Sequence, residues 1–566
     1  MKQQLERALS AIILELFGIK MPIQLTRTDE KFGDYTTNVA MQLAHDLGRS
    51  PREIAAEVTA KIATALPSQV TTVDIAGPGF INLTLTDASL VQAMQTPIIQ
   101  SWNGIRVLVE YSDPNPFKPL HAGHLYTTLV GDAIARLLES SGAEVVRLNY
   151  GGDVGLHVGK AMWSIIRTLG GENPDKLADV GGTDRPHWLG AQYIKGNNAY
   201  EDDSAAKAEI VAVNARIYEL HASNDRDSPL AQIYWTCRTW SYDYFVRLYE
   251  QLRVTPFDRI IPESEIVPLA LQTLREQLAA GVYETSDGAV VFRGEPFGLH
   301  TRVFINSKGL PTYEAKDVGL VMTKWRDYHF DRSIVITANE QQQYMAVMLK
   351  SVAQFSPEIA ERSEHLTHGM VRLKGGVKMS SRKGNVADAL EILEAAAAAN
   401  LAATGQDNPD TVLGAVKYAF LKARIGGDII YDPLESVSLE GNSGPYLQYA
   451  YARSRSILRK AEDLTMTTDQ ANITTTELTG FQPGERLLVR KLGEYSDVLV
   501  KAVDELMPHH VCTYLYELAQ TFNRFYEHNR VIGDQRQCLR LELVRRYAGT
   551  LQQGLTLLGI PTQEKM

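Results

Sequence analysis

The segment YSDPNPFKPLHAGHL at residues 111–125 constrains the fold most, because signals for a strand, a loop and a helix meet around it. The apolar run at 107–109 predicts a short buried strand. Three prolines restrain the loop that follows and keep it out of a helix. From His121 onward, apolar residues recur at helical spacing: Leu125, Leu129, Ile134 and Leu137. A loop that enters a helix in this way exposes free amide groups and is a phosphate-binding position in α/β folds.

Two histidines mark the start of that helix. His121 and His124 are three residues apart and share a face of the first turn, while Gly123 leaves the backbone open to a flat base. By itself this pattern is also typical of two surface histidines around a turn glycine. The stretch VKMSSRKGN at 377–385, more than 250 residues later, makes the functional interpretation the stronger one.

Together, the two segments resemble the HIGH and KMSKS signatures of class I aminoacyl-tRNA synthetases. The surrounding residues, SDPNPFKPLHAGHL and HGMVRLKGGVKMSSRKGN, resemble the arginyl-tRNA synthetase branch. The resemblance implies activation of L-arginine with ATP to arginyl-adenylate and pyrophosphate. Arginyl would then pass to the 3′ terminal ribose of tRNA(Arg), with release of AMP.

The same resemblance, with the helical and strand patterns along the chain, implies an α/β fold of four parts. We expect an N-terminal α+β domain that touches the outer corner of tRNA, a Rossmann-type catalytic domain with an insertion at about 165–300, a helical connector and an all-helical anticodon-binding bundle. The predicted bounds of these parts are 1–98, 99–385, 386–440 and 441–566.

Composition is compatible with this function. A length of 566 residues predicts three or more domains, and no apolar run approaches the roughly 20 residues that span a bilayer. The formal net charge is −10, and the residues before 441 carry all of this negative charge. The last 126 residues are nearly neutral and can still carry a basic face. Three isolated cysteines favour a reducing cytoplasm and support neither disulfides nor a structural zinc site. A monomer is expected.

The resemblance assigns the phosphate-binding residues. His121 and His124 would donate hydrogen bonds to the phosphates of ATP, bound with Mg²⁺, and Lys378 would close over the departing pyrophosphate. The remaining ATP-binding positions would be Gly123, Gln343, Met370, Val371, Met379 and Ser380. Because KMSSR replaces KMSKS, the second lysine is Ser381 here, and Lys118, Arg382 and Lys383 are alternative cations in its place.

The arginine pocket is predicted from a helix near residue 313. Tyr313 and Asp317 stand at i and i+4, where a hydroxyl and a carboxylate can meet a planar guanidinium, although a capping or salt-bridge pair has the same spacing. The Tyr-x-x-x-Asp motif of the family favours arginine recognition. By resemblance, Asn115 would bind the α-amino group and Gln341 would join the pocket, with Glu284 a weaker candidate.

Two further features are interpreted structurally. The glycine-rich segment NYGGDVGLHVGK, at 149–160, matches the family pattern only partly. Asp153 is therefore only a weak candidate for a ligand-binding residue. The aromatic stretch with Trp235, Trp240 and Tyr244 is expected to form helix–helix core rather than a base-stacking platform.

The C-terminal bundle is predicted to bind tRNA through aromatic and basic side chains on its helices: Tyr449, Arg453, Tyr526 and Arg530. Tyr526 lies about 100° beyond Phe525 on its helix, so it should stand at the margin of the packed face. Simple packing at that margin is the alternative.

Rival functions come from other classes. One is another HIGH-bearing enzyme, such as a cysteinyl-tRNA synthetase or a small adenylate-forming ligase. The absence of a Cys/His cluster disfavours the former, and the helical C-terminal region disfavours the latter. Another is a non-catalytic tRNA-binding paralogue, which the intact His121, His124 and Lys378 disfavour.

Overall fold

The N-terminal region is an α+β unit built on a small antiparallel sheet, and the computed structural model describes residues 1–374, 388–465 and 478–566 of the chain. The sheet has the strand order β1-β2-β4-β3. Its strands are β1 (Thr26–Arg27), β2 (Tyr35–Thr37), β3 (Val70–Ala76) and β4 (Phe80–Leu85). Its helices are α1 (Lys2–Phe17), α2 (Val39–Leu47), α3 (Pro51–Ala65) and α4 (Asp87–Met94). Helix α3 begins as its sequence predicts, with Pro51 in the first turn and the Ser50 side chain accepting from the Glu53 amide.

A five-stranded, fully parallel sheet forms the core of the central region, with strand order β12-β11-β5-β6-β7. Its strands are β5 (Arg106–Glu110), β6 (Glu144–Gly151), β7 (Arg259–Pro262), β11 (Arg332–Ala338) and β12 (Ser363–His368). The chain builds outward from β5 through β6 to β7 and then returns to the other side of β5. The order therefore reverses between β5 and β11, and the crevice at the carboxyl ends of these strands is where such sheets bind ligands.

Helices and a second, antiparallel sheet surround this core. The helices are α5 (Ala122–Ser140), α6 (Leu156–Thr168), α7 (Arg185–Asp202), α8 (Ser204–Ala222), α9 (Pro229–Gln251), α10 (Glu263–Ala279), α11 (Tyr313–Tyr328), α12 (Gln342–Val352) and α13 (Pro357–Glu361). The antiparallel sheet consists of β8 (Glu284–Ser286), β9 (Ala289–Phe292) and β10 (Arg302–Ile305). Short 3₁₀ turns occur at Glu30–Phe32, Pro174–Asp179, Glu295–Phe297 and Asn339–Gln341.

Strand β7 departs from the sequence prediction. Residues 165–300 were expected to form one insertion, yet β7 pairs with β6 as an edge strand of the main sheet. Its four residues, RIIP, are too short to carry a period, and the proline at its end masks the strand signal.

The segment after the central region is helical, with one strand that its alanine-rich sequence did not suggest. It contains α14 (Ala389–Thr404), α15 (Pro409–Leu421) and α16 (Pro433–Ser436). Strand β14 (Ile429–Tyr431) pairs in parallel with β13 (Val371–Leu373). This pairing ties the segment back to the end of the central sheet.

The C-terminal region is a bundle of five helices in the described residues: α17 (Gly444–Thr465), α18 (Pro483–Leu492), α19 (Tyr495–Asp504), α20 (His509–His528) and α21 (Gln537–Leu557). Leu515, Leu518, Phe522 and Phe525 of α20 are buried, as their spacing predicts. Among the described residues, no helix is both long and apolar enough to cross a membrane.

The N-terminal unit contacts the C-terminal bundle. The buried Asp34 of the N-terminal unit accepts a hydrogen bond from Arg486 Nη2 at 2.8 Å and lies 3.1 Å from Arg490 Nε, both on α18. Asp87 Oδ2 accepts the backbone amides of Gly480 and Phe481. The N-terminal unit therefore packs directly on the C-terminal bundle.

Candidate active site

The N-terminus of α5 is built around its two histidines. His121 is the N-cap, and its Nδ1 accepts the Gly123 amide at 3.1 Å. The His124 Nδ1 accepts the His121 amide at 3.4 Å, so the two rings form a reciprocal cap with centroids 3.8 Å apart. A β-carbon at Gly123 would lie 2.9 Å from the His121 ring, which explains the glycine.

Both histidines are neutral hydrogen-bond donors at physiological pH. His121 is exposed to solvent in part, but desolvation, and then the charge of Lys118, lowers its pKa to about 4. The pKa of His124 is lowered further, by burial first and then by His121 and Lys118. Because each Nδ1 accepts a backbone amide, each ring hydrogen sits on Nε2, where it can be donated to a ligand.

The cation next to the histidines is Lys118. Its Nζ lies 5.3 Å from the centre of the Tyr193 ring, and burial lowers its pKa. Its rivals for the role of the missing KMSKS lysine, Arg382 and Lys383, lie outside the described residues, as do Lys378, Met379 and Ser380.

A cavity of about 470 Å³ opens at the carboxyl ends of the parallel strands, at the point where the strand order reverses. Of the predicted arginine-binding residues, Asn115, Tyr313, Asp317 and Gln341 all line it. The sequence had brought these four together only by resemblance to a family, since they are spread over more than 200 residues.

Asp317 is the most informative residue of this cavity. Its side chain is buried, and among the residues that the structure describes its Oδ2 meets no hydrogen-bond donor. Burial is the main cause that raises its pKa to about 8; a hydrogen bond with the Tyr344 side chain opposes this shift, and the charges of Glu110 and Glu263 add to it. A buried acceptor of this kind suits a cationic donor such as guanidinium.

Acidic residues that the sequence did not single out also line the cavity. Glu110, at the end of β5, pairs with Lys324, and Glu263, directly after β7, pairs with Lys316. Glu263 follows β7, which the sequence did not predict. Glu110 is a single acid at the end of an apolar run. Neither has a local sequence signal for ligand binding. Their partners lie on α11, three and eleven residues beyond Tyr313.

Two of the predicted ligand-binding residues lie outside this cavity. Glu284 is exposed on β8 and pairs with Arg293 at 2.5 Å, so its assignment to the arginine pocket is wrong. Gln343 is exposed on the first turn of α12 and does not line the cavity, because Gln341 and Tyr344 take the inward positions of this turn. Asn115 packs on Gly152, where a β-carbon would lie 2.2 Å from its Oδ1.

Met370 and Val371 lead away from the edge of the sheet. The Met370 side chain is 47% exposed, and its amide donates to Asp428 Oδ1. Just before them, His368 Nε2 lies 2.6 Å from the Thr127 hydroxyl of α5. The segment therefore starts beside the His121 helix.

The weak candidates have structural roles. Asp153 is fully buried, is paired with Arg238 at 3.0 Å and accepts the Ser264 amide, so it anchors α9 and α10. Trp240 and Tyr244 are buried in α9, in agreement with a packing role for the aromatic stretch.

A second cavity, of about 720 Å³, lies on the C-terminal bundle and brings together three of the four predicted tRNA-binding residues. The guanidinium of Arg453 lies 4.8 Å from the centre of the half-buried Tyr526 ring, and Arg530 lines the same cavity. Tyr449 is 44% exposed on α17, one helical turn before Arg453, and does not line it.

Comparison with protein families assigns three consecutive parts of the chain. Residues 85–439 match the family described as tRNA synthetases class I (R), catalytic domain. Residues 1–85 match the arginyl tRNA synthetase N terminal domain, and residues 447–566 match the DALR anticodon binding domain.

Curated relatives match over nearly the whole chain. The arginine–tRNA ligase of Chromobacterium violaceum is 32% identical, over 95% of this chain and 94% of its own. That of Porphyromonas gingivalis is 28% identical, over 100% and 99% of the two chains.

Solved structures agree with this fold. The Thermus thermophilus arginyl-tRNA synthetase superposes with a TM-score of 0.79 at 26% identity, with full coverage of both chains. The Plasmodium falciparum arginyl-tRNA synthetase gives a TM-score of 0.80 at 20% identity, over 100% of this chain and 99% of its own, which supports the fold alone.

Proposed function

The chain belongs to the arginyl-tRNA synthetase family of class I, and from this premise we propose how its own residues carry out the activation and transfer of arginine. The chain is an aminoacyl-tRNA-forming ligase that joins arginine to tRNA. The alternative of a cysteinyl-tRNA synthetase is not favoured. One observation carries the proposal for the site: the acidic cavity with the unpartnered Asp317 Oδ2 opens at the same sheet edge as the His121 helix.

Arginine recognition rests on geometry and charge. Asp317 would accept two guanidinium N–H groups, while Tyr313 and Gln341 line the same cavity. A guanidinium presents a planar fork of donors, whereas the ammonium of lysine is a point charge that cannot fill the same positions. Arginine should therefore be used well and lysine rejected.

Adenylate formation needs positioning and charge neutralisation rather than a protein nucleophile. The arginine carboxylate attacks the α-phosphorus of ATP, and the bond to pyrophosphate breaks. His121 and His124 would donate their Nε2 hydrogens to the phosphate oxygens, at a helix N-terminus that already favours negative charge. Lys118 supplies a positive charge beside them.

Mg²⁺, when bound, would neutralise charge on the triphosphate. Within the described ranges, no group of three or more His, Cys, Asp or Glu side chains is arranged to hold a metal ion. The donor set therefore fits a metal that is held mainly by the ATP phosphates and water, as is usual for Mg²⁺.

We place tRNA across both ends of the chain. The cavity formed by Arg453, Tyr526 and Arg530 combines an aromatic face with two cations, which suits an unpaired base and its phosphate. The N-terminal unit would contact the outer corner of the tRNA. We further propose a cytoplasmic monomer with the four-part domain division given above.

Pyrophosphate exchange tests the proposal, assayed with all twenty amino acids in the presence and absence of tRNA. Of the twenty amino acids, we expect only arginine to support exchange. We also expect arginylation of tRNA(Arg). Asp317→Asn should raise the arginine KM steeply, because one charged acceptor is lost, while the KM for ATP stays near its original value. Exchange with another amino acid, or an unchanged arginine KM in the variant, would contradict the proposed site.

A further inference from the structure

The charged side chains of the arginine cavity do not balance. Three acids that line it have a cationic partner: Glu110 with Lys324, Glu263 with Lys316, and Glu314 with Arg302 at 3.4 Å. Two acids inside the cavity, Asp113 and Asp317, have no ion pair among the described residues. Glu340, also without one in that part of the chain, is exposed and lies at the rim.

L-Arginine carries two cationic groups, the guanidinium and the α-ammonium. Its carboxylate is consumed in the attack on ATP, so the cavity must receive two positive charges beside it. Two uncompensated carboxylates in a cavity of about 470 Å³ match that demand in number and sign.

The position of Asp113 decides which of the two charges it meets. Asp113 belongs to the loop between β5 and the N-terminus of α5, two residues before Asn115 and eight before His121. The carboxylate of arginine must approach the phosphates at that helix N-terminus, so the adjacent α-ammonium lies on the same side. Asp317 lies on α11 rather than on the loop that leads to that helix N-terminus, and is left for the guanidinium.

The loop holds Asp113 in a demanding conformation. Its φ is +46°, and that of the preceding Ser112 is +77°, in a region that side chains other than glycine rarely adopt. One carboxylate oxygen, Oδ1, accepts the Tyr150 amide at 2.7 Å from the end of β6. Asp113 also lines the cavity, so its carboxyl group is placed to contact a ligand there.

We propose that Asp113 is the counter-ion of the α-ammonium group of arginine and therefore a specificity-determining residue for an α-amino acid substrate. Burial and the neighbouring charges of Glu110 and Asp317 raise the pKa of Asp113 well above its ordinary value. A bound cation would favour the ionised form of this carboxyl group. The inference rests on the proposed function and adds a residue to it.

Ligand analogues test the assignment. The dissociation constants of L-arginine and of its α-hydroxy analogue, which lacks the ammonium, are measured by calorimetry. The proteins are the original chain, Asp113→Asn, Asp317→Asn and, as a control, Glu276→Gln at an exposed position on α10 outside the cavity. Asparagine keeps the acceptor for the Tyr150 amide and tolerates a positive φ, so Asp113→Asn removes mainly the charge.

We expect Asp113→Asn to weaken L-arginine about 10- to 100-fold while the α-hydroxy analogue changes by less than about twofold. Asp317→Asn should weaken both ligands, and Glu276→Gln neither. Equal losses for both ligands in Asp113→Asn, or no loss for arginine, would overturn the proposal. If Asp113→Asn does not fold, Asp113→Ser, with a small hydroxyl acceptor, takes its place in the same comparison.

The same experiment separates this inference from the proposed function. If the original chain neither binds arginine nor arginylates tRNA, the proposed function fails. If it does both and Asp113→Asn behaves like the original chain, only the assignment of Asp113 fails.

Discussion

At the scale of single residues, the structure turns the two histidines of the α5 N-terminus into neutral donors. Each Nδ1 is occupied by a backbone amide, and each pKa is lowered by burial and by Lys118. A neutral donor favours the phosphate through a directed hydrogen bond, while Lys118 supplies the charge. Spacing alone could not give this, because it depends on how the rings fold back over the helix end.

His124→Ala should lower the rate of adenylate formation about 100-fold, since the loss of one donor to the transition state costs about 3 kcal/mol. The readout is pyrophosphate exchange at saturating arginine and ATP, with circular dichroism to verify the fold. A correctly folded variant with normal exchange would remove His124 from the site. His45→Ala, which replaces an exposed histidine on α2, is the control and should leave the rate unchanged.

Arginine binding should depend on pH through Asp317. Its pKa of about 8 in the free protein means that the carboxyl is mostly protonated at pH 7, whereas guanidinium binds the carboxylate. Binding should therefore release a proton at pH 7, and affinity should fall as pH drops below 8, at most about tenfold per unit.

Titration calorimetry in buffers with different ionisation enthalpies measures that proton. The groups around the carboxyl are Asp113, Tyr344 and the two ion pairs, Glu110 with Lys324 and Glu263 with Lys316. Asp317→Asn should reduce the release, and the remainder should come from Asp113, whose pKa is also raised by burial. Binding without proton exchange in the original chain would show that Asp317 is already ionised.

At the scale of elements, helices α17 and α20 together build the cavity proposed for an anticodon base. Tyr526 leaves the packed face one residue after Phe525, as its position on the helix predicts, and the guanidinium of Arg453 from α17 approaches its ring. The half-buried ring also packs on Phe522, with centroids 6.2 Å apart. Tyr526 thus packs partly on the bundle and also lines the cavity.

Tyr526→Ala should raise the KM for tRNA about tenfold or more, because stacking of a base on an aromatic ring contributes roughly 1–3 kcal/mol. The melting temperature should change little, since the ring is only half buried. Arginylation kinetics with tRNA(Arg) measure the effect, and Glu527→Ala, an exposed neighbour on α20, is the matched control. A collapse of stability would instead assign Tyr526 to the bundle core.

At the scale of the whole molecule, the chain closes on itself in two places. Asp34 and Asp87 fasten the N-terminal unit to the start of α18. Near its end the chain returns to the helical segment that follows the central region, where the buried Lys417 of α15 donates to the Gly559 carbonyl at 2.8 Å. The surfaces proposed to hold tRNA therefore stand at fixed positions relative to the arginine cavity.

Asp34→Asn should loosen the N-terminal unit, because two arginines lose a buried counter-ion, at a cost of about 3 kcal/mol. We expect faster proteolysis between the N-terminal unit and the central sheet and a higher KM for tRNA, with little change in the KM for arginine. Asp74→Asn, at an exposed position on the same small sheet, is the control. Equal proteolysis of the two variants would show that the Asp34 contacts do not hold the unit.

Much of this protein was determined by sequence alone. Local patterns fixed the strand and helix around His121, the helix from Pro51 and the buried stripe of α20, because the period of apolar residues is set by backbone geometry. The two motifs gave the family, and most of the arginine-binding residues followed from the family pattern.

Only the tertiary structure decided the rest. Strand β7 is recognisable by its pairing with β6, and Glu110 and Glu263 become cavity residues only when distant segments meet. Glu284 and Gln343 lie close in sequence to strands and helices of the site but do not line it, since a side chain's surroundings depend on the packing of its element. The charge balance that singles out Asp113 likewise exists only after lysines of α11 have paired with acids from β5 and α10, because ion pairing acts through space rather than along the chain.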